Sequence, residues 1–313
     1  MKGLELSERF YLEHGKPMLC EKFPHLAEWI AVGLMGSGSE CFGFDDEISH
    51  DHDFEPGFCI FLPDEEIVDR KTAFALERAY AKLPKVFEGF ARSPVDPVGG
   101  SRHGVIRICD FLTEKTGTPD ASLALRDWFS IPEQSLAEAT NGKLFFDELG
   151  LMTNIRATLS YLPEDVRRKK LAGKLLMMGQ AGQYNYRRCL CRGDTAAAQL
   201  AVIEFVQATL HVIFLLNRVY LPYYKWSFRA MRDLPRLSSL SDTLEWLISS
   251  GNTTDEASKK SNVIEQICSE IIQELTAQGL SSFTGTALEG HAYEVNAHIA
   301  DNDVRSLHIM YGA

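Results

Sequence analysis

Two aspartates stand two residues apart just before an apolar run, residues 58–62. In an extended chain the side chains of Asp51 and Asp53 emerge on the same face. Two carboxylates held this close repel each other, and a divalent cation relieves that repulsion. Carboxylate oxygens are the ligands that Mg²⁺ prefers. The pair therefore predicts a metal site in which Asp51 and Asp53 bind Mg²⁺, with two ions possible.

A glycine–serine turn precedes this pair along the chain. Residues 30–35 are apolar and end in Gly36, Ser37, Gly38 and Ser39, which predicts a buried strand that leads into a tight turn. Glycine lets the backbone approach a phosphate closely, and N–H and hydroxyl groups can bond its oxygens. Phosphoryl transfer needs this arrangement, since one element holds the phosphates and the other holds the metal ions.

The stretch from Leu34 to Phe54 resembles the signature of the polymerase-β-like nucleotidyltransferase superfamily, which includes kanamycin and other aminoglycoside nucleotidyltransferases. That signature is a hydrophobic residue, Gly and then Gly or Ser, a spacer of similar length, and Asp-hydrophobic-Asp/Glu-hydrophobic. The phrases GSGSECFGFDDEISHDHDF and NRVYLPYYKW are similar to an uncharacterised bacterial family of the domain-of-unknown-function type within that superfamily.

The resemblance implies a Mg²⁺-dependent transferase that moves an NMP group from an NTP, such as ATP, to an acceptor hydroxyl or phosphate and releases pyrophosphate. Gly36, Ser37 and Ser39 would hold the NTP, and Asp51 and Asp53 would bind Mg²⁺. A small-molecule acceptor is favoured, and a protein or an RNA acceptor stays open. The alternative is a catalytically degenerate nucleotide-binding or partner-binding protein on the same scaffold.

Two positions depart from the superfamily pattern. His52 stands where an apolar residue is usual. Many active members have a third carboxylate on a later strand, and the predicted strand 104–109 offers only Asp110 at its end. Asp110 is either that third catalytic carboxylate or the N-cap of the following helix. If it is only a cap, the base comes from elsewhere or the protein does not catalyse the reaction.

The string from His50 to Asp53 also fits a transition-metal or HD-type phosphohydrolase site, because His and Asp bind such metals. HD-type sites need further His and Asp residues on separate helices. This string adjoins a predicted strand, so the nucleotidyltransferase interpretation is preferred.

The charges are unevenly distributed. Lys and Arg number 32 and Asp and Glu 43, for a formal net charge of −11, which argues against DNA binding because phosphate neutralisation needs a basic surplus. Residues 40–69 contain eleven acids and no Lys or Arg, whereas residues 156–232 contain thirteen Lys and Arg against four acids. This separation indicates either two solvated faces or an acidic metal site opposite a basic wall that holds an anionic substrate.

Aromatic and basic residues mix near the end of the basic stretch. Lys225 and Arg229 follow Pro222 in this segment. Either they reach the triphosphate of the NTP as cofactor-binding residues, or the segment is an aromatic helix junction with cations at its rim. The RRKK string at 167–170 predicts a solvated helix face, with RNA binding as the less favoured interpretation.

The elements that must position these residues change in kind along the chain. Apolar and alternating runs predict strands near 30–35, 51–62 and 104–109, whereas helical periodicity dominates after residue 118, including residues 145–161. We therefore expect an α+β fold, with an N-terminal nucleotidyltransferase domain built on a small mixed sheet, a C-terminal helical bundle, and the active cleft between them. The expected domains are residues 1–117 and 118–313.

Seven cysteines occur without a CxxC pair, a pattern typical of reduced thiols in a cytoplasmic protein. Residues 1–15 hold no apolar block of the kind that a signal peptide needs. The longest apolar stretch, residues 196–220, is interrupted by polar residues and fits a buried helix better than a membrane span. The sequence therefore predicts a cytoplasmic location and no membrane partner.

Overall fold

The computed structural model describes residues 1–50, 54–92 and 103–313. The predictions made for Asp51 and Asp53 therefore lie outside the described residues. The chain forms two compact units. The first unit consists of Met1–Leu123 and Ile131–Ser160, and the second of Ala124–Ser130 and Tyr161–Ala313.

A sheet of four short strands organises the first unit, in the order β5-β2-β1-β6. β1 pairs antiparallel with both β2 and β6, and β2 pairs parallel with β5. All residues of β1 and β2 are buried, as their continuous apolar sequence indicates. β3 and β4 form a separate antiparallel ribbon. The strands are β1 Ala31–Leu34, β2 Cys59–Leu62, β3 Val86–Phe87, β4 Phe90–Ala91, β5 Gly104–Arg107 and β6 Lys143–Asp147.

Helices cover the sheet, and α1 continues through a π-helical turn into α2. Short 3₁₀ helices occupy Pro24–Trp29, Ser39–Phe42 and Ile48–His50. The α-helices of the first unit are α1 Gly3–Phe10, α2 Lys16–Lys22, α3 Arg70–Ala81, α4 Ile108–Thr116, α6 Glu133–Thr140 and α7 Leu151–Thr158.

The strand directions bring four segments to one end of the sheet. Gly33 near the end of β1 pairs with Cys59 at the beginning of β2, and Leu34 pairs with Lys143 at the beginning of β6. β5 runs parallel to β2, and its first residue, Gly104, also pairs with Cys59. This end of the sheet therefore collects the residues that follow β1 and those that precede β2, β5 and β6.

Aromatic packing joins the helices to the beginning of β2. The ring centroid of Phe58 lies 5.9 Å from that of Phe10 in α1 and 5.0 Å from that of Tyr80 in α3. The backbone N–H of Phe58 donates to the Tyr80 hydroxyl at 3.1 Å, and burial raises the pKa of that phenol. All three rings are buried, so they hold the start of the strand against the helices.

The second unit is helical in the part of it that the structure describes. α10 has the length and apolar composition of a membrane-spanning helix, but 61% of its most apolar window is buried inside the protein, as is also true of core helices in soluble proteins. The helices are α5 Asp127–Ser130, α8 Glu164–Met178, α9 Arg187–Cys191, α10 Thr195–Asn217, α11 Tyr224–Arg232, α12 Ser241–Ser249, α13 Thr254–Ala277, α14 Leu288–Ala297 and α15 Asn302–Ser306.

The mixture of a small sheet with many helices confirms the expected α+β class. The prediction of a helix from residue 145 is wrong, because β6 extends to Asp147. A short apolar run fits a strand or a helix equally well, and the partner of this one lies far away in the sequence. The first unit therefore extends past the boundary expected at residue 117. The strand expected over 104–109 ends at Arg107, because α4 begins at Ile108.

Candidate functional site

The predicted turn follows β1 directly. We call residues 35–42 the Gly36 turn; its last four residues form the 3₁₀ helix. Gly36 has a φ of +127°, in a region that residues with a side chain rarely adopt. A Cβ added there would meet nothing within 4 Å. The backbone conformation, and not lack of space, therefore requires glycine at this position.

The predicted phosphate ligands differ in exposure. Gly36 and Gly38 are buried, Ser37 is exposed, and Ser39 is half-buried as the first residue of the 3₁₀ helix. Gly38 has an extended conformation and precedes that helix as its N-cap. The Gly36 turn therefore presents Ser37 to solvent while its glycines pack inward.

Asn141 holds the beginning of the Gly36 turn. The backbone N–H of Gly36 donates to Oδ1 of Asn141 at 2.9 Å, and Nδ2 of Asn141 donates to the carbonyl of Gly36 at 2.7 Å. The N–H of Gly36 is thus engaged within the protein, and glycine has no other polar donor. The Gly36 N–H is therefore not available to a phosphate, and we interpret the role of Gly36 as conformational. Ser37 and the amides after it stay as candidate donors.

Sequence reasoning missed Asn141. The dipeptide Asn141-Gly142 is a turn signal, and it stands just before β6. Nothing in the local pattern shows that the asparagine contacts a glycine 105 positions earlier. The pairing of β6 with β1 brings the two segments together.

Glu55 and His103 meet at the same end of the sheet, one before β2 and the other before β5. Nδ1 of His103 lies 3.1 Å from Oε1 of Glu55, and the histidine is buried. A Cβ on Gly57 would lie 2.6 Å from the His103 ring, so only glycine permits this packing. The contact fixes the described part of the chain that leads from the aspartate pair into β2.

Asp110 lies at the opposite end of the sheet. It belongs to the first turn of α4, and the N-cap of that helix is Arg107. The N-cap interpretation of Asp110 is therefore wrong, although an acid in a first helical turn is favourable. Arg107 pairs with Leu62 at the end of β2, three residues of strand away from Cys59, or roughly 10 Å. The structure thus does not bring Asp110 to the Gly36 turn.

Several described acids of the 40–69 segment have structural roles. Asp45 is buried and accepts from the N–H of Gly3 at 2.8 Å, at the beginning of α1. Asp69 is the N-cap of α3 and accepts from the N–H of Thr72 at 2.7 Å, and hydrogen bonds with Thr72 lower the pKa of Asp69. Hydrogen bonds to the first turns of helices therefore account for part of the acidic stretch.

No group of three or more His, Cys, Asp or Glu residues that could hold a metal occurs within residues 1–50, 54–92 and 103–313. The expected Mg²⁺ site depends on Asp51 and Asp53, which lie outside these ranges. The described residues thus include the turn that was predicted to bind phosphate, and among them no such group replaces the predicted metal ligands.

Lys225 and Arg229 belong to the second unit, in α11. The ammonium group of Lys225 lies 5.1 Å from the ring centroid of Trp226, and the guanidinium carbon of Arg229 lies 5.9 Å from it. Both cations are thus within the range of a cation–π interaction. Lys225 is exposed and Arg229 is half-buried. Because both cations contact the same Trp226 ring, the two predicted residues lie close together.

The basic string of α8 is not a solvated face, and that prediction is wrong. Arg167, Lys169 and Lys170 are buried. Arg167 donates to Glu164 at 2.7 Å, and Lys169 donates to Oδ1 of Asn296 at 2.8 Å. These partners lie inside the second unit, so the positive charges stabilise its helices. The signal was missed because Asn296 lies far away in the sequence.

The chain is similar to a sequence family over part of its length and, weakly, to a solved structure. Residues 128–227 match the sequence family described as a domain of unknown function, DUF4037. The chain is also similar to a solved structure, a nucleotidyltransferase-like protein from Exiguobacterium sibiricum 255-15, with 12% sequence identity, 90% of this chain and 80% of that chain covered, and a TM-score of 0.37. No curated protein matches the sequence.

The family match includes the phrase NRVYLPYYKW and excludes the Gly36 turn. It covers less than half of the chain and names no activity. A TM-score of this size does not establish a common fold. The function is therefore inferred from the sequence signature and from the geometry of the turn.

Proposed function

We propose that the protein is a Mg²⁺-dependent nucleotidyltransferase that transfers an NMP group from an NTP to an acceptor hydroxyl or phosphate. The observation that carries this proposal is the Gly36 turn itself. It follows a buried strand, has a glycine-only conformation at Gly36, is hydrogen-bonded to Asn141 at that glycine, and exposes Ser37. Gly36 and Ser37 also belong to the stretch that resembles the nucleotidyltransferase signature.

The turn suits phosphate oxygens without a charged side chain. Successive backbone N–H groups in a tight turn form a concavity that binds anions, and the Ser37 hydroxyl adds a rotatable donor. Because the Gly36 N–H bonds Asn141, the proposed donors are the amides of Ser37, Gly38 and Ser39. Lys225 and Arg229, predicted from the sequence to contact the triphosphate, belong to the second unit, and their role stays a prediction.

Asp51 and Asp53 are the residues that would hold Mg²⁺. When bound there, the ion would neutralise phosphate charge and favour in-line displacement. In the proposed reaction the acceptor oxygen forms a bond to the α-phosphorus, the bond from that phosphorus to the bridging oxygen breaks, and pyrophosphate leaves with the electron pair. The acceptor loses its proton to a base. Asp110 is not proposed as that base, because it lies at the other end of the sheet.

The test compares Asp51→Asn and Asp53→Asn with a matched control. Asp46→Asn serves as the control, because Asp46 is exposed in the same acidic stretch and caps a local turn through an oxygen that asparagine keeps. We expect wild type and Asp46→Asn to bind Mg·NTP by calorimetry, and both aspartate-pair variants to lose binding by at least about tenfold. Retained binding in both variants contradicts the mechanism.

The second candidate is a nucleotide-binding protein without transferase activity. The position of Asp110 favours it, because Asp110, the predicted third carboxylate, lies at the other end of the sheet from the Gly36 turn. Labelled NTPs incubated with the protein and a metabolite extract separate the two candidates. Pyrophosphate and a nucleotidylated product support the transferase, whereas binding without either supports the second candidate.

A further inference from the structure

We propose that Asn141 is a positioning residue that fixes the Gly36 turn in the conformation that binds phosphate. The phosphate role of Asn141 rests on the function proposed above, whereas its hold on the turn does not. Asn141 is half-buried in the loop between α6 and β6 and has no part in the sequence signature. It acts on the site through Gly36.

The two hydrogen bonds to Gly36 use both ends of the Asn141 amide. Oδ1 accepts from the Gly36 N–H, and Nδ2 donates to the Gly36 carbonyl. Aspartate would keep the acceptor and lose the donor, and an apolar residue would lose both. One side chain therefore fixes both peptide groups of the residue whose φ of +127° defines the turn.

The next residue holds the other side of the turn. The backbone N–H of Gly142 donates to the carbonyl of Cys41 at 2.9 Å. Gly142 has a φ of +64°, and a Cβ there would lie 2.0 Å from the carbonyl oxygen of Leu34. Residues 141 and 142 thus contact the turn near its first and last residues, at a separation that only glycine permits.

Arg156 of α7 holds the backbone of residues 140 and 141. Its guanidinium group donates to the carbonyl of Thr140 at 2.8 Å and to that of Asn141 at 3.0 Å. Burial lowers the pKa of Arg156. The carbonyls at the end of α6 thereby receive a cationic donor, and the backbone that presents the Asn141 side chain is fixed.

An asparagine in the second unit provides a matched control, which distinguishes an effect on the Gly36 turn from a general loss of stability. Nδ2 of Asn217 donates to the carbonyls of Ile213 and Arg236, at 2.9 and 3.0 Å. Its Oδ1 accepts from the N–H of Arg236 at 3.1 Å. Asn217→Ala therefore removes a comparable set of hydrogen bonds at a distance in sequence from the Gly36 turn.

The first measurement is amide hydrogen exchange of the full-length protein without nucleotide. In Asn141→Ala we expect exchange of residues 36–42 to accelerate about tenfold, the effect of one lost hydrogen-bond set, while β2 stays protected. Asn217→Ala leaves residues 36–42 unchanged. Unchanged exchange there in Asn141→Ala overturns the proposal, whatever the protein binds.

The second measurement is calorimetric titration with Mg·ATP and the other Mg·NTPs, alongside the melting temperature. We expect Asn141→Ala to weaken binding about tenfold and Asn217→Ala to leave it unchanged at a similar loss of melting temperature. Equal affinities in the two variants overturn the phosphate role of Asn141.

If Asn141→Ala does not fold, Asn141→Asp carries the same tests, because it keeps the size and the acceptor oxygen. If wild type binds none of the nucleotides, the proposed function fails and the phosphate role of Asn141 fails with it. The exchange result then still decides whether Asn141 holds the turn, so the two failures are distinguishable.

Discussion

The Gly36 turn of the first unit and helix α8 of the second unit place their polar groups in opposite ways. α8 carries four consecutive cations, residues 167–170, and most of them are buried on partners within their own unit. The Gly36 turn carries few charges, and it exposes Ser37 on a backbone that Asn141 holds. The run of cations in α8 thus serves the internal structure of the second unit, whereas the candidate site is the Gly36 turn, which has little charge.

Glu164 shows why α8 needs its cations. It accepts hydrogen bonds from Arg167, Arg168 and Arg218 at 2.7, 2.8 and 2.8 Å. Burial acts to raise the pKa of Glu164, but the hydrogen bonds and charges of these arginines outweigh it and lower the pKa to about 2. The Glu164 carboxylate thus pairs with more than one arginine inside the second unit. These arginines are explained by their contact with Glu164, without a ligand.

The largest effect on stability is expected for Glu164→Ala. Breaking a buried ion pair from one side costs about 3–5 kcal/mol, and because Glu164 is partly exposed we expect the lower value, about 3 kcal/mol. Chemical denaturation measures the loss, and Mg·NTP affinity should not change. Glu289→Ala is the control, with a cost below about 1 kcal/mol for an exposed acid in a first helical turn. If nucleotide affinity falls in Glu164→Ala, the conclusion that this ion network serves stability and not binding is contradicted.

Gly36→Ala should have the next largest effect. Forcing a side chain into φ +127° costs about 1–3 kcal/mol or moves the turn, so nucleotide binding should be lost. Gly43→Ala is the control, because its φ of +73° lies in the ordinary left-handed region, where a side chain costs about 1–2 kcal/mol. Full nucleotide affinity in Gly36→Ala shows that the turn conformation is irrelevant to binding.

The pH dependence of the second unit follows from Glu164. Its pKa in the folded protein is lower than its usual value, so its contribution to stability is fully present above about pH 4.5 and is lost as pH falls toward 2. The loss should be about 1 kcal/mol once solvent screening of a partly exposed carboxylate is allowed for. The free energy of unfolding should depend less on pH in Glu164→Gln than in wild type. Identical profiles would show that the ion pairs of Glu164 do not contribute to stability.

Ser37→Ala should have the smallest effect on stability, within about 0.5 kcal/mol for an exposed residue. Its effect should fall on nucleotide affinity, which loses one hydroxyl donor and weakens by about three- to tenfold. Ser122→Ala, at another exposed serine of the first unit, should change neither quantity. Titration calorimetry checks both, and equal affinities of the two variants contradict a phosphate contact by Ser37.

The local features of the site were predictable from the sequence, and its long-range partners were not. An apolar run followed by Gly36 and Ser37 predicts a strand and a turn, and both are present. The contact of Asn141 with Gly36 depends on the pairing of β6 with β1, which no local pattern contains. For the same reason the sequence left open whether Asp110 is a third catalytic carboxylate or an N-cap, whereas the parallel pairing of β5 with β2 places it at the other end of the sheet from the turn.

Charge was the least reliable signal for the same physical reason. The burial of Arg167 and Lys169 depends on carbonyls and side chains that the fold supplies from other helices. The sequence shows four cations in a row but not the acceptors that surround them. Where the acceptor is local, as for Asp69 and the N–H of Thr72, the sequence pattern of an N-cap is sufficient.

The most direct test of the account follows backbone amide resonances of the full-length protein as Mg·NTP is added. The account predicts that the largest shifts occur at Ser37, Gly38 and Ser39, while the N–H of Gly36 keeps its hydrogen bond to Asn141. Saturable nucleotide binding that leaves the amides of Ser37, Gly38 and Ser39 unshifted would contradict the assignment of this turn as the phosphate site.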